Sequence, residues 1–137
     1  MSISRIIWDS SPTEAVRSYV AFQLKVLAEL GIILPKNPND SIALSHQWLS
    51  GDATRDEISF ARDEWWDFID THGLTQEFRD KDAVLARLSL CLLAVSEEDA
   101  SKLGDHLSWF LEVLGFWGAD TQKAIALMKQ EFKFSEI

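Results

Sequence analysis

Along this sequence, polar residues that favour helix N-caps recur just ahead of apolar residues spaced three and four apart. No stretch of useful length alternates with period two. That pattern commits the chain to helices. Ser11-Pro-Thr-Glu14 is a capping box with proline at the first helical position, and Gly31 supplies a stop. The spacing predicts a first helix over 12–30, with Val16, Val20, Leu24 and Leu27 on one face and Tyr19 and Leu30 beside it. Pro35 and Pro38 make Gly31 to Asp40 a loop, and a short second helix is expected from Asp40 to near Gly51.

Thr54-Arg-Asp-Glu57 is a second capping box, opening a third helix that Gly73 closes. The apolar segment Lys81 to Val95 predicts a fourth. Ser96 followed by Glu97, Glu98 and Asp99 opens a fifth, since acidic side chains favour the positive end of the helix dipole. It is expected to run to about Leu114 with Leu103, Leu107, Phe110, Leu111 and Leu114 inward, weakened by Gly104. Gly115 and Gly118 are read as a turn packing Phe116 and Trp117. Asp120 caps a sixth helix whose apolar side is Ala124, Ile125, Leu127, Met128 and Phe132. Short connections between such segments imply antiparallel neighbours. The expected fold is all-α: one domain over 1–137, a single compact bundle of five to six antiparallel amphipathic helices. Leu88, Cys91, Leu92, Trp65, Ile69, Leu107 and Leu111 are the expected core.

At 137 residues and 47% hydrophobic content the chain has ample material for one core and needs no metal or disulfide staple. Its one cysteine, Cys91, excludes an internal disulfide. The run Leu88–Val95 around it is far shorter than the roughly 20 apolar residues of a membrane span. Met1-Ser-Ile-Ser-Arg-Ile-Ile-Trp-Asp9 has no long apolar stretch or small-residue cleavage site, so a signal peptide is not expected and the cytoplasm is. With a formal charge of −9 and a pI near 4.7, nucleic acid and anionic membranes are poor partners. A basic protein is the electrostatic complement.

Catalytic chemistry is hard to assemble from these residues. Asp63, Asp67 and Asp70 share a helical face and could in principle hold Mg²⁺, in the manner of all-α nucleotide pyrophosphatases. A matching second acidic pair is missing, and no histidine has a glutamate three residues before it, as di-iron bundles require. Cys91 lies among leucines, where burial raises a thiol pKa and leaves it inert. His46, His72 and His106 fall on different predicted helices, and Gly115-Phe-Trp-Gly118 carries bulky aromatics where a phosphate loop needs open backbone. The expectation is a non-enzyme with no metal and no cofactor. A metal-dependent pyrophosphatase-like enzyme and a self-associating helical regulatory or adaptor module are the alternatives.

The third helix is the informative segment. Residues 52–82 hold ten acidic and four basic side chains, a net −6 of the chain's −9. At about 100° per residue, Ile58, Ala61, Trp65, Ile69 and His72 fall on one side. Asp56, Asp63, Asp67 and Asp70 lie within about 40° of the opposite direction. Such a stripe repels itself mildly, by a few tenths of a kcal/mol per i,i+4 pair. Phe60 falls on this acidic side and Trp66 flanks it. Interface centres are rich in aromatics ringed by polar groups, which makes Asp56, Phe60, Asp63, Trp66, Asp67 and Asp70 the candidate partner-binding residues. The competing expectation is that the Gly31–Asp40 loop covers Phe60 within the domain.

The segment His46-Gln-Trp-Leu-Ser-Gly-Asp-Ala-Thr-Arg-Asp-Glu-Ile58 pairs a helix ending in Trp-Leu-x-Gly with a capped acidic helix. In this it resembles small all-α immunity proteins of bacterial toxin–immunity systems. Such proteins are often acidic because many of their toxins are basic nucleases, and they inhibit by occluding the toxin's active surface. The resemblance implies a stoichiometric, non-catalytic binder whose partner is a basic protein, a cognate toxin.

Overall fold

The N-caps expected from sequence are formed. In the computed structural model, which describes residues 6–73 and 80–134, five of the six helices open on a polar side chain that accepts from a first-turn amide. α1 (Pro12–Glu29) starts at Ser11, whose hydroxyl accepts from the Glu14 amide at 3.4 Å. α2 (Ser41–Ser50) starts at Asp40, which accepts from the Ala43 amide at 3.0 Å. α3 (Arg55–Thr71) carries the full reciprocal box: Thr54 Oγ1 accepts from Glu57 N at 3.1 Å, and Glu57 Oε1 from Thr54 N at 3.2 Å. α4 (Lys81–Leu93) begins at Asp80, and α6 (Thr121–Glu131) at Asp120. Each cap satisfies amides that the first helical turn leaves unpaired.

α5 departs from expectation at both ends. Ser96 does open helical structure, with the Asp99 carboxylate accepting from the Ser96 amide at 2.9 Å, but Glu97–Lys102 is a 3₁₀ segment and α5 proper is Leu103–Trp117. Gly115 is not a turn residue: the helix runs through it and stops at Gly118, whose φ of 90° is the left-handed conformation glycine adopts without strain. Continuing the helix leaves Phe116 exposed and Trp117 only half-buried, so the expected packing of that pair at a turn is corrected. Leu111 is half-buried rather than central, because it falls about 70° from the mean direction of the fully buried Leu103, Leu107, Phe110 and Leu114. His72 likewise leaves the buried face of α3: it follows the last helical residue and is exposed.

α4 is the axle of the fold. It packs against α1, α2, α3 and α5, and Ala83, Val84, Ala86 and every residue from Leu88 to Leu93 are buried. A helix covered on most sides must be apolar nearly all round, which is why its sequence lacks a clear polar face. Trp65 and Ile69 of α3, Tyr19 and Leu27 of α1 and Phe110 of α5 join it in one continuous core. At the periphery two-residue strands β1 (Ile6–Ile7) and β2 (Lys133–Phe134) pair antiparallel. No helix among the described residues is long and apolar enough to cross a membrane. Met1–Arg5, part of the expected non-signal N-terminus, and Glu77 and Arg79 of the acidic segment lie outside the described residues.

Candidate protein-binding face

α3 is fixed to the domain by its inner side. Ile58, Ala61, Trp65 and Ile69 are each at most 3% exposed. From the loop before α2, Asn39 reaches across: its amide nitrogen donates to the Ala61 carbonyl at 3.0 Å and to Glu64 Oε1 at 3.2 Å. At the start of α3, Arg55 lies 4.5 Å from the centre of the Trp48 ring and donates to the Val95 carbonyl at 3.1 Å. The outer side of α3 therefore stands on a well-anchored helix.

That outer side carries the predicted stripe. Asp56, Asp63, Asp67 and Asp70 are all exposed. Asp63 pairs with its neighbour Arg62, both guanidinium contacts being 3.2 Å, and its side chain remains 65% exposed. Phe60 is 68% exposed, so the Gly31–Asp40 loop does not cover it and that competing expectation is withdrawn. It overhangs a shallow depression whose other walls are Leu44 of α2 and Asp56, Glu57, Ala61 and Glu64 of α3.

Trp66 is 41% exposed and turns the other way, lying beneath the Arg87 guanidinium at 5.1 Å. Phe60 and Trp66 are about 120° apart around the helix axis. The structure thus brings Asp56 and Phe60 together, runs Asp63, Asp67 and Asp70 along the middle, and sets Trp66 on the far edge. Glu57 and Glu64 were missed as members of this face. Both lie within about 60° of Phe60 by helical angle, so the periodicity that found the aspartates also contained them.

The groups considered for catalysis are scattered. Among the described residues no cluster of three His, Cys, Asp or Glu side chains is placed to hold a metal ion. Burial pushes the Cys91 thiol up to about 12 against the smaller opposing pull of Arg87, so it stays protonated at neutral pH. His46 is exposed on α2. His72 stacks on Phe68, with ring centres 4.1 Å apart, and His106 lies 3.9 Å from Asp99. What the arrangement offers chemically is a rigid, anionic surface with an aromatic at each margin. Comparison with protein families, with curated proteins and with solved structures finds no match to this chain.

Proposed function

We propose that this chain is a non-catalytic protein-binding protein, an immunity protein of a bacterial toxin–immunity system, whose α3 face docks on a basic toxin and occludes its active surface. The observation that carries the reading is Phe60, a large aromatic standing 68% exposed beside a row of carboxylates on a helix that is otherwise firmly anchored. Leaving a phenyl ring in water has a cost that docking removes. The carboxylates attract a cationic surface and speed encounter, whereas the ring slows release. Glu57 and Glu64 extend the anionic rim around the depression into which a partner's lysine or arginine stem could lie along Phe60.

The test is co-expression with the polypeptide encoded by the adjacent upstream reading frame. The wild-type chain should restore growth that this polypeptide arrests. Neutralising Asp63, Asp67 and Asp70 to asparagine should slow association and flatten its salt dependence. Phe60→Ala should speed dissociation, at a cost of about 2 kcal/mol. Both variants should melt no lower than wild type. No protection by the wild type, or undiminished protection by both variants, would overturn the reading.

A further inference from the structure

Away from the Phe60 depression, a cleft of about 200 Å³ opens where α1, α3, α4 and α5 meet. The buried Tyr19, Leu90 and Val95 line its inner side, while the indoles of Trp66 and Trp109, 41% and 38% exposed, form part of its walls. An apolar protein cavity of roughly 150 Å³ accepts benzene. This one has room for a single ring and a small substituent. Flat aromatic walls suit an aromatic occupant, since rings pair edge-to-face or offset at contact distance.

Charge decides the substituent. Arg87 of α4 and His106 of α5 line the cleft, whereas no described Asp or Glu does. The Arg87 guanidinium lies 5.1 Å from the centre of the Trp66 ring, which puts a cation at the aromatic wall itself. A guanidinium carries five N–H donors and a carboxylate engages two of them, so the site does not require Arg87 to be otherwise unengaged. Asp99 is 3.9 Å from His106 Nε2 but stands outside the lining, where its carboxylate accepts from the Ser96 amide at 2.9 Å. Asp63 and Asp70, about a turn to either side of Trp66 along α3, are exposed and do not line the cleft either. The net charge of −9 opposes an anion at long range. At physiological ionic strength the Debye length is about 8 Å, so groups touching the occupant outweigh distant ones. In so acidic a chain, a lining whose charge is basic selects a negative group.

We propose that this cleft is a binding site for a small aromatic monocarboxylate: the ring sits against Trp66 and Trp109, and the carboxylate pairs with the Arg87 guanidinium. The proposal goes beyond the protein-binding reading and does not depend on it, because it concerns the isolated chain and a small molecule.

The experiment titrates the full chain at neutral pH with 4-methylbenzoate, 4-methylbenzamide and cyclohexanecarboxylate, following ¹H–¹⁵N resonances and the indole N–H signals of Trp66 and Trp109. The benzoate should saturate, binding about tenfold tighter than the benzamide, the difference between a charge-assisted and a neutral hydrogen bond. Cyclohexanecarboxylate, with the same charge and no flat ring, should bind severalfold more weakly than the benzoate. Arg87→Met, which keeps an unbranched stem and removes the cation, should bring the benzoate to the affinity of the benzamide. Ala94→Phe, which fills the cleft from its wall and leaves Arg87 intact, should abolish binding of both, with the fold of each variant checked by its melt. If Arg87→Met does not fold, Ala94→Phe and the ligand series decide. No saturable shift at the two indoles, equal affinity for benzoate and benzamide in the wild type, or cyclohexanecarboxylate binding as tightly as the benzoate would each overturn the proposal. So would undiminished benzoate affinity in a folded Arg87→Met protein, or binding that survives Ala94→Phe.

Discussion

The Trp65 indole donates its N–H to the Asn39 side-chain oxygen at 2.8 Å, linking a fully buried ring to the proline-containing loop ahead of α2. The same amide donates to the Ala61 carbonyl and to Glu64, so one side chain clamps the loop onto two turns of α3. Truncating it strands a buried indole N–H. Asn39→Ala is expected to lower stability by about 1–3 kcal/mol, the range for a buried donor left unsatisfied. Urea denaturation of the two proteins checks this, and midpoints that coincide would show that the clamp contributes nothing.

Gln23 presents the opposite case. It lies in α1 at 0% exposure, and neither its amide oxygen nor its nitrogen has a hydrogen-bond partner. Gln23→Met keeps the length and flexibility of the side chain and removes both polar atoms. The variant should be more stable by about 1–3 kcal/mol, the cost of an unsatisfied buried polar group. A thermal melt reads it out. A fall in Tm would mean that the amide is satisfied in solution.

Burial of Cys91 makes a prediction at alkaline pH. The folded thiol is raised from 9.0 to about 12, so folding favours the protonated form. That contribution is complete below pH 9 and is lost as pH rises toward 12, because the unfolded chain sheds the proton first. Tyr19, also raised by burial, acts in the same sense. Stability measured from pH 8 to 11 should fall, and fall less steeply in Cys91→Ala. In the folded protein near pH 8 the thiol should react with a small disulfide reagent about a thousandfold more slowly than in urea, the factor set by its thiolate fraction. Comparable rates would contradict its burial.

The helical architecture was legible because local chemistry decides it. Ser11, Asp40, Thr54 and Asp120 cap their own helices within three residues, and the anionic stripe of α3 follows from a fixed turn per residue. The errors came where the next turn or a distant segment decides. Gly115 is tolerated inside α5 because the stop falls three residues later at Gly118. Exposure of Phe60 depended on where the loop to Asp40 lies, and Asn39 draws that loop onto Ala61, Glu64 and Trp65 instead. The cleft lined by Tyr19, Trp66, Arg87 and Trp109 could not be read at all, since these residues come from four separate helices. The aspartates and the two aromatics of the candidate face were legible residue by residue; the membership of Glu57 and Glu64, and the division between a Phe60 edge and a Trp66 edge, were implicit in the helical angle.

Self-repulsion along α3 predicts a gain on neutralisation. Asp63 and Asp67 stand one turn apart, with Asp70 three residues beyond Asp67, and all three are exposed. Replacing Asp67 alone with asparagine spares the Arg62–Asp63 contact and should raise stability by a few tenths of a kcal/mol at low salt, on the order of one like-charge pair. The gain should vanish at 1 M salt, where the Debye length is about 3 Å. A destabilised Asp67→Asn protein would show that the carboxylate has a favourable role within the domain.

The small β1–β2 bridge has a mechanical consequence. Ile6 faces Phe134 and Ile7 faces Lys133, so the strands lie antiparallel with their outer residues toward the two ends of the chain. Tension applied through those ends acts along the inter-strand hydrogen bonds rather than across them, because antiparallel bonds run perpendicular to the strands. The bonds then load one after another, as in a zipper, instead of sharing the force. Behind them, α1 and α6 touch, and the Lys25–Glu131 ion pair and the Lys123 contact to the Glu29 carbonyl, at 3.2 Å, are next in line. A chain stretched end to end should therefore give way at its seam first, peeling α6 from α1 while the α3–α4–α5 body still resists.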